Sequence, residues 1–137
     1  MTSWTHEDVD RRERVIATGL AAWSAASVLF GIVVRGAVGR QHVAWGAVDG
    51  AIAARGLLSA NDRRRAPCER GRRLRRLLLA NAALDVGYVG LGVAMSRGRL
   101  GLARRPDGAA VVVQGGFLLG FDLWHASRLG AAPGSAR

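Results

Sequence analysis

The sequence predicts an all-α membrane protein, an antiparallel bundle of four helices that each cross the bilayer. Three observations predict it. The apolar residues gather into four stretches of about 18–20 residues, the length a helix rising 1.5 Å per residue needs to cross hydrocarbon. The charges lie almost wholly between those stretches. The first stretch also lacks the polar face that a soluble helix turns to water. Half of the 137 residues are apolar, yet the mean hydropathy is only +0.13, because greasy and charged residues are segregated rather than interleaved.

Residues 1–14 form a polar segment with Glu7, Asp8, Asp10, Arg11, Arg12, Glu13 and Arg14. The first span, residues 15–34, has no charge. Its polar groups are Thr18, Ser24, Ser27 and the indole of Trp23, too few for a water-facing side. It is longer than a signal-peptide core and no small-x-small cleavage site follows, so it is expected to be retained. A short connection holds Arg35, Gly36, Gly39 and Arg40. The second span, residues 41–60, is less apolar and carries Trp45, Asp49 and Arg55. Residues 61–76 hold eight arginines, and Pro67 and Gly71 are expected to break this segment into a loop. The third span, 77–95, carries Asn81, Asp85 and Tyr88. The connection 96–108 holds Arg97, Arg99, Arg104 and Arg105, punctuated by Pro106 and Gly108. The fourth span, 109–126, carries Gln114, Asp122, Trp124 and His125, and 127–137 is a polar, frayed tail.

Charge fixes the orientation. The net charge is +10 with a pI near 11.7, and every one of the 20 basic residues is arginine. A binder of nucleic acid sets such residues along one face of a soluble fold. Here they cluster between apolar spans, so a nucleic-acid partner is excluded. With the N-terminus inside, the cytoplasmic segments hold 13 arginines and the outer ones 6. This bias predicts a multi-pass protein of the inner (plasma) membrane with both termini cytoplasmic. The partners that follow are the bilayer itself and anionic lipid head groups at the Arg-rich 61–76 segment, worth about 1 kcal/mol per arginine near the surface. Cys68 is the single cysteine, which rules out an intrachain disulfide and leaves a free thiol.

The second and fourth spans share a pattern. Gln41 precedes Asp49 by eight positions and Gln114 precedes Asp122 by eight, so each pair lies on one helix side. Each span also has a Gly-x-x-x-Gly, Gly46 with Gly50 and Gly116 with Gly120, the spacing at which helix backbones approach closely in lipid. The pattern points to two copies of a helical hairpin, both entering from the cytoplasm, and the glycine faces offer a route to a homo-oligomer.

Charges inside a bilayer cost several kcal/mol unless paired or hydrated. Asp49, Arg55, Asp85 and Asp122 are therefore expected to face the bundle interior, a water-filled cavity or a partner. By depth, Arg55 meets Asp122 or Asp85, and the Gln114 amide reaches Asp49. Asn81 and Asp85, four apart, share a face with Tyr88 close by. Trp45 and Trp124 mark the two interfaces, and His42 and His125 sit near opposite interfaces, solvated. Three carboxylates against one arginine leave excess negative charge, which suits proton or cation handling. No spacing for nucleophilic catalysis, a metal or a phosphate is present, so neither an enzyme nor a cofactor is expected.

Three stretches, Gln41-His42-Val43-Ala44-Trp45-Gly46, Asn81-Ala82-Ala83-Leu84-Asp85-Val86-Gly87-Tyr88 and Gln114-Gly115-Gly116-Phe117-Leu118-Leu119-Gly120-Phe121-Asp122, resemble an uncharacterised family of small bacterial four-span membrane proteins. The resemblance covers spans two to four. It implies the fold and a membrane location, and no activity. Function is thus expected to be that of a structural or accessory membrane subunit, the alternative being a small channel or transporter for protons, cations or a small solute that uses the intramembrane aspartates.

Overall fold

A computed structural model describes residues 4–59, 64–100 and 105–130 of the chain. These residues form four α-helices in sequence: α1, His6–Val34; α2, Gly36–Ser59; α3, Pro67–Ser96; and α4, Arg105–Gly130. α1, α3 and α4 are long and apolar enough to cross a membrane. α2 carries Arg40, Asp49 and Arg55 and falls short by composition. It is held as the second arm of a hairpin with α1 and also lies against α4.

The helices run past the apolar stretches at both ends. α1 starts in the polar segment because Thr5 caps it. The Thr5 hydroxyl accepts from the Asp8 amide at 3.1 Å, and the Asp8 carboxylate accepts from the Thr5 amide at 3.0 Å. This reciprocal cap stabilises the first turn by about 1 kcal/mol. The Arg-rich segment is mostly helix rather than loop. Pro67 starts α3 instead of breaking the chain, since the first helical turn needs no proline N–H. Glu69 in that turn complements the helix dipole. Gly71 is accommodated inside the helix. The end of the expected tail, residues 131–137, lies outside the described residues, as does 101–104 of the third connection.

The α1–α2 connection shrinks to Arg35, with φ 56° and ψ −169°, followed by Gly36 at φ 64°. Glycine adopts such angles freely, whereas a side chain makes them strained. Arg35→Gly is therefore expected to raise stability by about 0.5–1 kcal/mol, read as a higher unfolding midpoint in detergent.

Large apolar side chains are exposed, around an interior that mixes apolar residues such as Val9, Leu20, Leu78 and Met95 with polar ones. Val33 and Leu58 are 79% and 89% exposed, and Leu29, Ile32, Leu84 and Val86 are also exposed, while Gln114, Asp49, Asp85 and Asp122 are buried. Apolar residues outside and polar ones inside fit lipid as the solvent.

α1 packs chiefly on α2, and α3 chiefly on α4. Both hairpins close on the same small-residue pattern. A Cβ on Gly31 would meet the Gly39 carbonyl at 2.5 Å and Val43 at 2.8 Å; one on Gly92 would meet the Gly108 carbonyl at 2.9 Å and Val112 at 2.8 Å. One helical turn further in, Gly46 sits against Val28 and Gly115 against Val89. Five positions thus correspond: Val28 with Val89, Gly31 with Gly92, Gly39 with Gly108, Val43 with Val112, and Gly46 with Gly115. In this register Trp45, not Gln41, takes the place of Gln114.

The start of α1, the start of α3 and the end of α4 meet. Arg70 of α3 is buried there. Its Nη2 donates to Asp10 and Glu13 of α1, each at 2.7 Å, and its Nη1 lies 3.4 Å from His6 Nδ1. Arg12 donates to the Arg128 carbonyl of α4 at 3.2 Å and stacks over Trp4. These contacts explain why the polar ends of α1 and α3 remain helical.

Candidate functional site

Between the two hairpins, besides an apolar cluster of Leu78, Ala126 and Leu129 with Ile16 and Leu74, lie two groups of buried polar residues. The first is centred on Gln114, which is 1% exposed. Its Oε1 accepts from Trp23 Nε1 at 2.7 Å; its Nε2 donates to Ser27 Oγ at 3.0 Å and lies 3.0 Å from His42 Nδ1. Nδ1 accepts that bond when the ring proton sits on Nε2. Below it, Ser24 Oγ donates to the Gly46 carbonyl at 2.6 Å. Trp23 also stacks on Phe117, with centroids 3.7 Å apart and planes 10° apart, and Phe30 meets His42 edge-on. Every polar atom of the Gln114 amide is thereby used.

The second part holds the carboxylates. Asp49, Asp85 and Asp122 are 2%, 5% and 6% exposed and lie within Coulombic reach of one another. Asp122 hydrogen-bonds Asn81. Asp49 Oδ2 and Asp85 Oδ2 are buried with no protein hydrogen-bond partner. Beside Asp85, the rings of Trp45 and Tyr88 meet edge-on with centroids 4.8 Å apart. Together with Val111, Gln114, Gly115 and Leu118 they line a narrow crevice.

The helix periodicity selects these residues. On α2, the positions buried below the connection are His42, Gly46, Asp49 and Ala53; on α3 they include Leu78, Ala82, Asp85 and Gly92; on α4, Gln114, Gly115, Asp122 and Ala126. His42, Gly46, Asp49 and Ala53, and likewise Leu78, Ala82 and Asp85, follow the three-and-four spacing of one helix face.

The chain matches the family model of DUF6992, a family of unknown function, over residues 19–123. The chain belongs to DUF6992. The DUF6992 match takes in both polar parts of the core. No curated protein and no solved structure matches the chain.

Several sequence expectations meet a different geometry in this DUF6992 chain. Gln114 does not serve Asp49; its amide is taken up by Trp23, Ser27 and His42. His42, expected near the interface and solvated, is 6% exposed and belongs to the core, because α2 begins five residues earlier than expected and carries it inward. Gln41 is only half-buried. Arg55 is exposed, two residues beyond buried Ala53 and so on the far side of α2 from Asp49. Gly46 and Gly50 both face Ser24 of α1, whereas a Cβ on Gly116 or Gly120 would meet nothing within 4 Å. Trp124 is exposed with Arg128 stacked over its ring. Cys68 is exposed and unbridged. Among the described residues, no three His, Cys, Asp or Glu side chains form a metal-binding group.

Residues that sequence reasoning passed over are Trp23, Ser24, Ser27 and His42 in the core, and Arg70 with Asp10 and Glu13 at the end. The signal for the first three was present: Leu20, Ser24, Ser27 and Gly31 follow one helix face, and that face carries the polar groups of an otherwise apolar span.

Proposed function

We propose that this DUF6992 protein resides in the bacterial inner (plasma) membrane with both termini cytoplasmic, and that Asp49, Asp85 and Asp122 take up and release a proton or a small cation. One observation carries the reading. Residues that merely hold helices together in lipid do so by satisfying their hydrogen bonds, as Gln114, Ser24, Ser27 and Trp23 do here. Asp49 and Asp85 each keep a buried carboxylate oxygen without a protein partner. Such a group is costly in lipid and is retained where it serves a substrate or ion. Apolar helices and an interior set of carboxylates suit that role together.

The test is purified protein in vesicles holding a pH-sensitive dye. Under an imposed potassium diffusion potential, the wild type is expected to carry protons, and Asp49→Asn, Asp85→Asn and Asp122→Asn to stop the flux while remaining folded. Unchanged flux in all three overturns the reading.

The second reading, an accessory subunit that associates with copies of itself, draws on the open Gly116 and Gly120 of α4. Cross-linking at those positions in native membranes decides it. The two hairpins are read as copies of one unit, supported by the five corresponding positions of their contacts. Arg64, Arg65, Arg72, Arg73, Arg75 and Arg76 are exposed, which supports reading them as contacts for anionic head groups.

Orientation has its own measurement. Cys68, the single cysteine, is exposed in the first turn of α3, at the same end as the start of α1 and the end of α4. A membrane-impermeant maleimide is expected to label it in inverted vesicles and not in intact cells. Labelling in intact cells reverses the topology.

A further inference from the structure

We infer that the crevice formed by Trp45, Asp85, Tyr88, Val111 and Leu118 binds a small organic ammonium ion, with the Asp85 carboxylate as its counter-charge and the two rings as its walls. The inference rests on the reading that the buried carboxylates serve a cation, and it names the class of that cation.

The two hairpins supply the reasoning. Applying the register of their glycine contacts, Asp85 of α3 corresponds to Ser24 of α1, Tyr88 to Ser27, and Val111 of α4 to His42 of α2; Trp45 and Gln114 correspond to each other. The contact between Ser27 and Gln114 in one half therefore occupies the same place as the contact between Tyr88 and Trp45 in the other. At the first place all groups are polar and bonded. Ser24 gives its proton to the Gly46 carbonyl, and Gln114 joins Trp23, Ser27 and His42. At the second place the serine is an aspartate with a buried, unpartnered oxygen, the hydroxyl is a phenol ring, and the histidine is a valine. One place is a knot that closes the bundle. Its counterpart is a crevice with a single charged group.

The chemistry of the lining selects the ligand. A hard metal ion asks for six or more oxygens, and the crevice walls are largely carbon. An ammonium ion with apolar substituents needs one carboxylate, aromatic surfaces for its positive charge and apolar contact for the rest. Asp49 and Asp122 lie within Coulombic reach of Asp85 and, when ionised, add to its negative potential. With the rings in contact the crevice has no room for a water-sized molecule, so binding requires the Trp45 and Tyr88 rings to part; Tyr88 is 38% exposed.

The experiment titrates the purified full chain in lipid nanodiscs with benzyltrimethylammonium and tetramethylammonium chloride, against sodium chloride at equal ionic strength. Calorimetry gives the affinity and tryptophan fluorescence reports the rings. Saturable binding of benzyltrimethylammonium is expected, tighter than tetramethylammonium and absent for sodium. Asp85→Asn weakens it about tenfold or more, as loss of a partly buried charge partner does. Trp45→Leu weakens it too, whereas Trp45→Phe keeps an aromatic wall and binds within about threefold of wild type. Ser24→Ala, at the corresponding place in the other hairpin, leaves the affinity unchanged. If Asp85→Asn fails to fold, the Trp45→Leu and Trp45→Phe pair decides. No saturable response to either ammonium, or equal affinity in Asp85→Asn, overturns the inference. Absent ammonium binding alongside Asp85-dependent proton flux removes this inference and leaves the proposed function; Asp85-dependent ammonium binding without flux does the reverse.

Discussion

Exchange of Arg70 for methionine destabilises the bundle by about 3–5 kcal/mol, the range for removing one partner of a buried ion pair. The side chain is 5% exposed and its two carboxylate partners are both at 2.7 Å, one of them, Asp10, only 4% exposed. Without the guanidinium, Asp10 and Glu13 each lose a charge partner held at 2.7 Å, and the cost is mainly theirs. The triple exchange with Asp10→Asn and Glu13→Gln is therefore expected to recover most of the loss. By contrast Arg65→Met, which breaks an ion pair whose side chains are 48% exposed, changes stability by less than about 0.5 kcal/mol. Unfolding of helicity in SDS titrations ranks the variants. Equal effects of Arg70→Met and Arg65→Met would remove the ionic tie between α1 and α3 from the account.

The second large effect separates glycines by sign. Alanine in an exposed helix interior is favoured over glycine by about 1 kcal/mol. Gly116→Ala and Gly120→Ala meet open space and should stabilise by up to that amount. Gly31→Ala places its methyl 2.5 Å from the Gly39 carbonyl, and Gly108→Ala places one 2.6 Å from the Gly92 carbonyl. Neither obstacle is a flexible side chain, so the helices must part. Overpacking of this kind costs about 1–3 kcal/mol, more than the propensity returns. A series in which all four substitutions shift the midpoint alike would disprove the packing described for the hairpins.

The four helices and their apolar cores were legible because the spans are long and nearly free of charge. The helix ends were not. The segment before Val15 read only as polar and the Arg-rich segment as a loop, since nothing local announces that Arg70 meets Asp10 and Glu13, sixty and fifty-seven residues away. Pro67 carries two opposite meanings, breaker and first residue of a helix, and only the fold chooses. The aspartates were legible as interior residues from the cost of charge in lipid. Their surroundings were not, because a half-turn of rotation separates a pairing of Arg55 with Asp85 from its exposure on the far side of α2. The matching contacts of the hairpins escaped notice for a simpler reason. Gly31 and Gly39 are eight residues apart, Gly92 and Gly108 sixteen, so no fixed period links them.

Because each hairpin is built from neighbours in the chain and fastened by its own glycines, the first is complete before the third helix has been synthesised. Assembly in the bilayer then reduces to docking two finished halves, and a gene severed between residues 60 and 63 should still yield a whole protein from its two products.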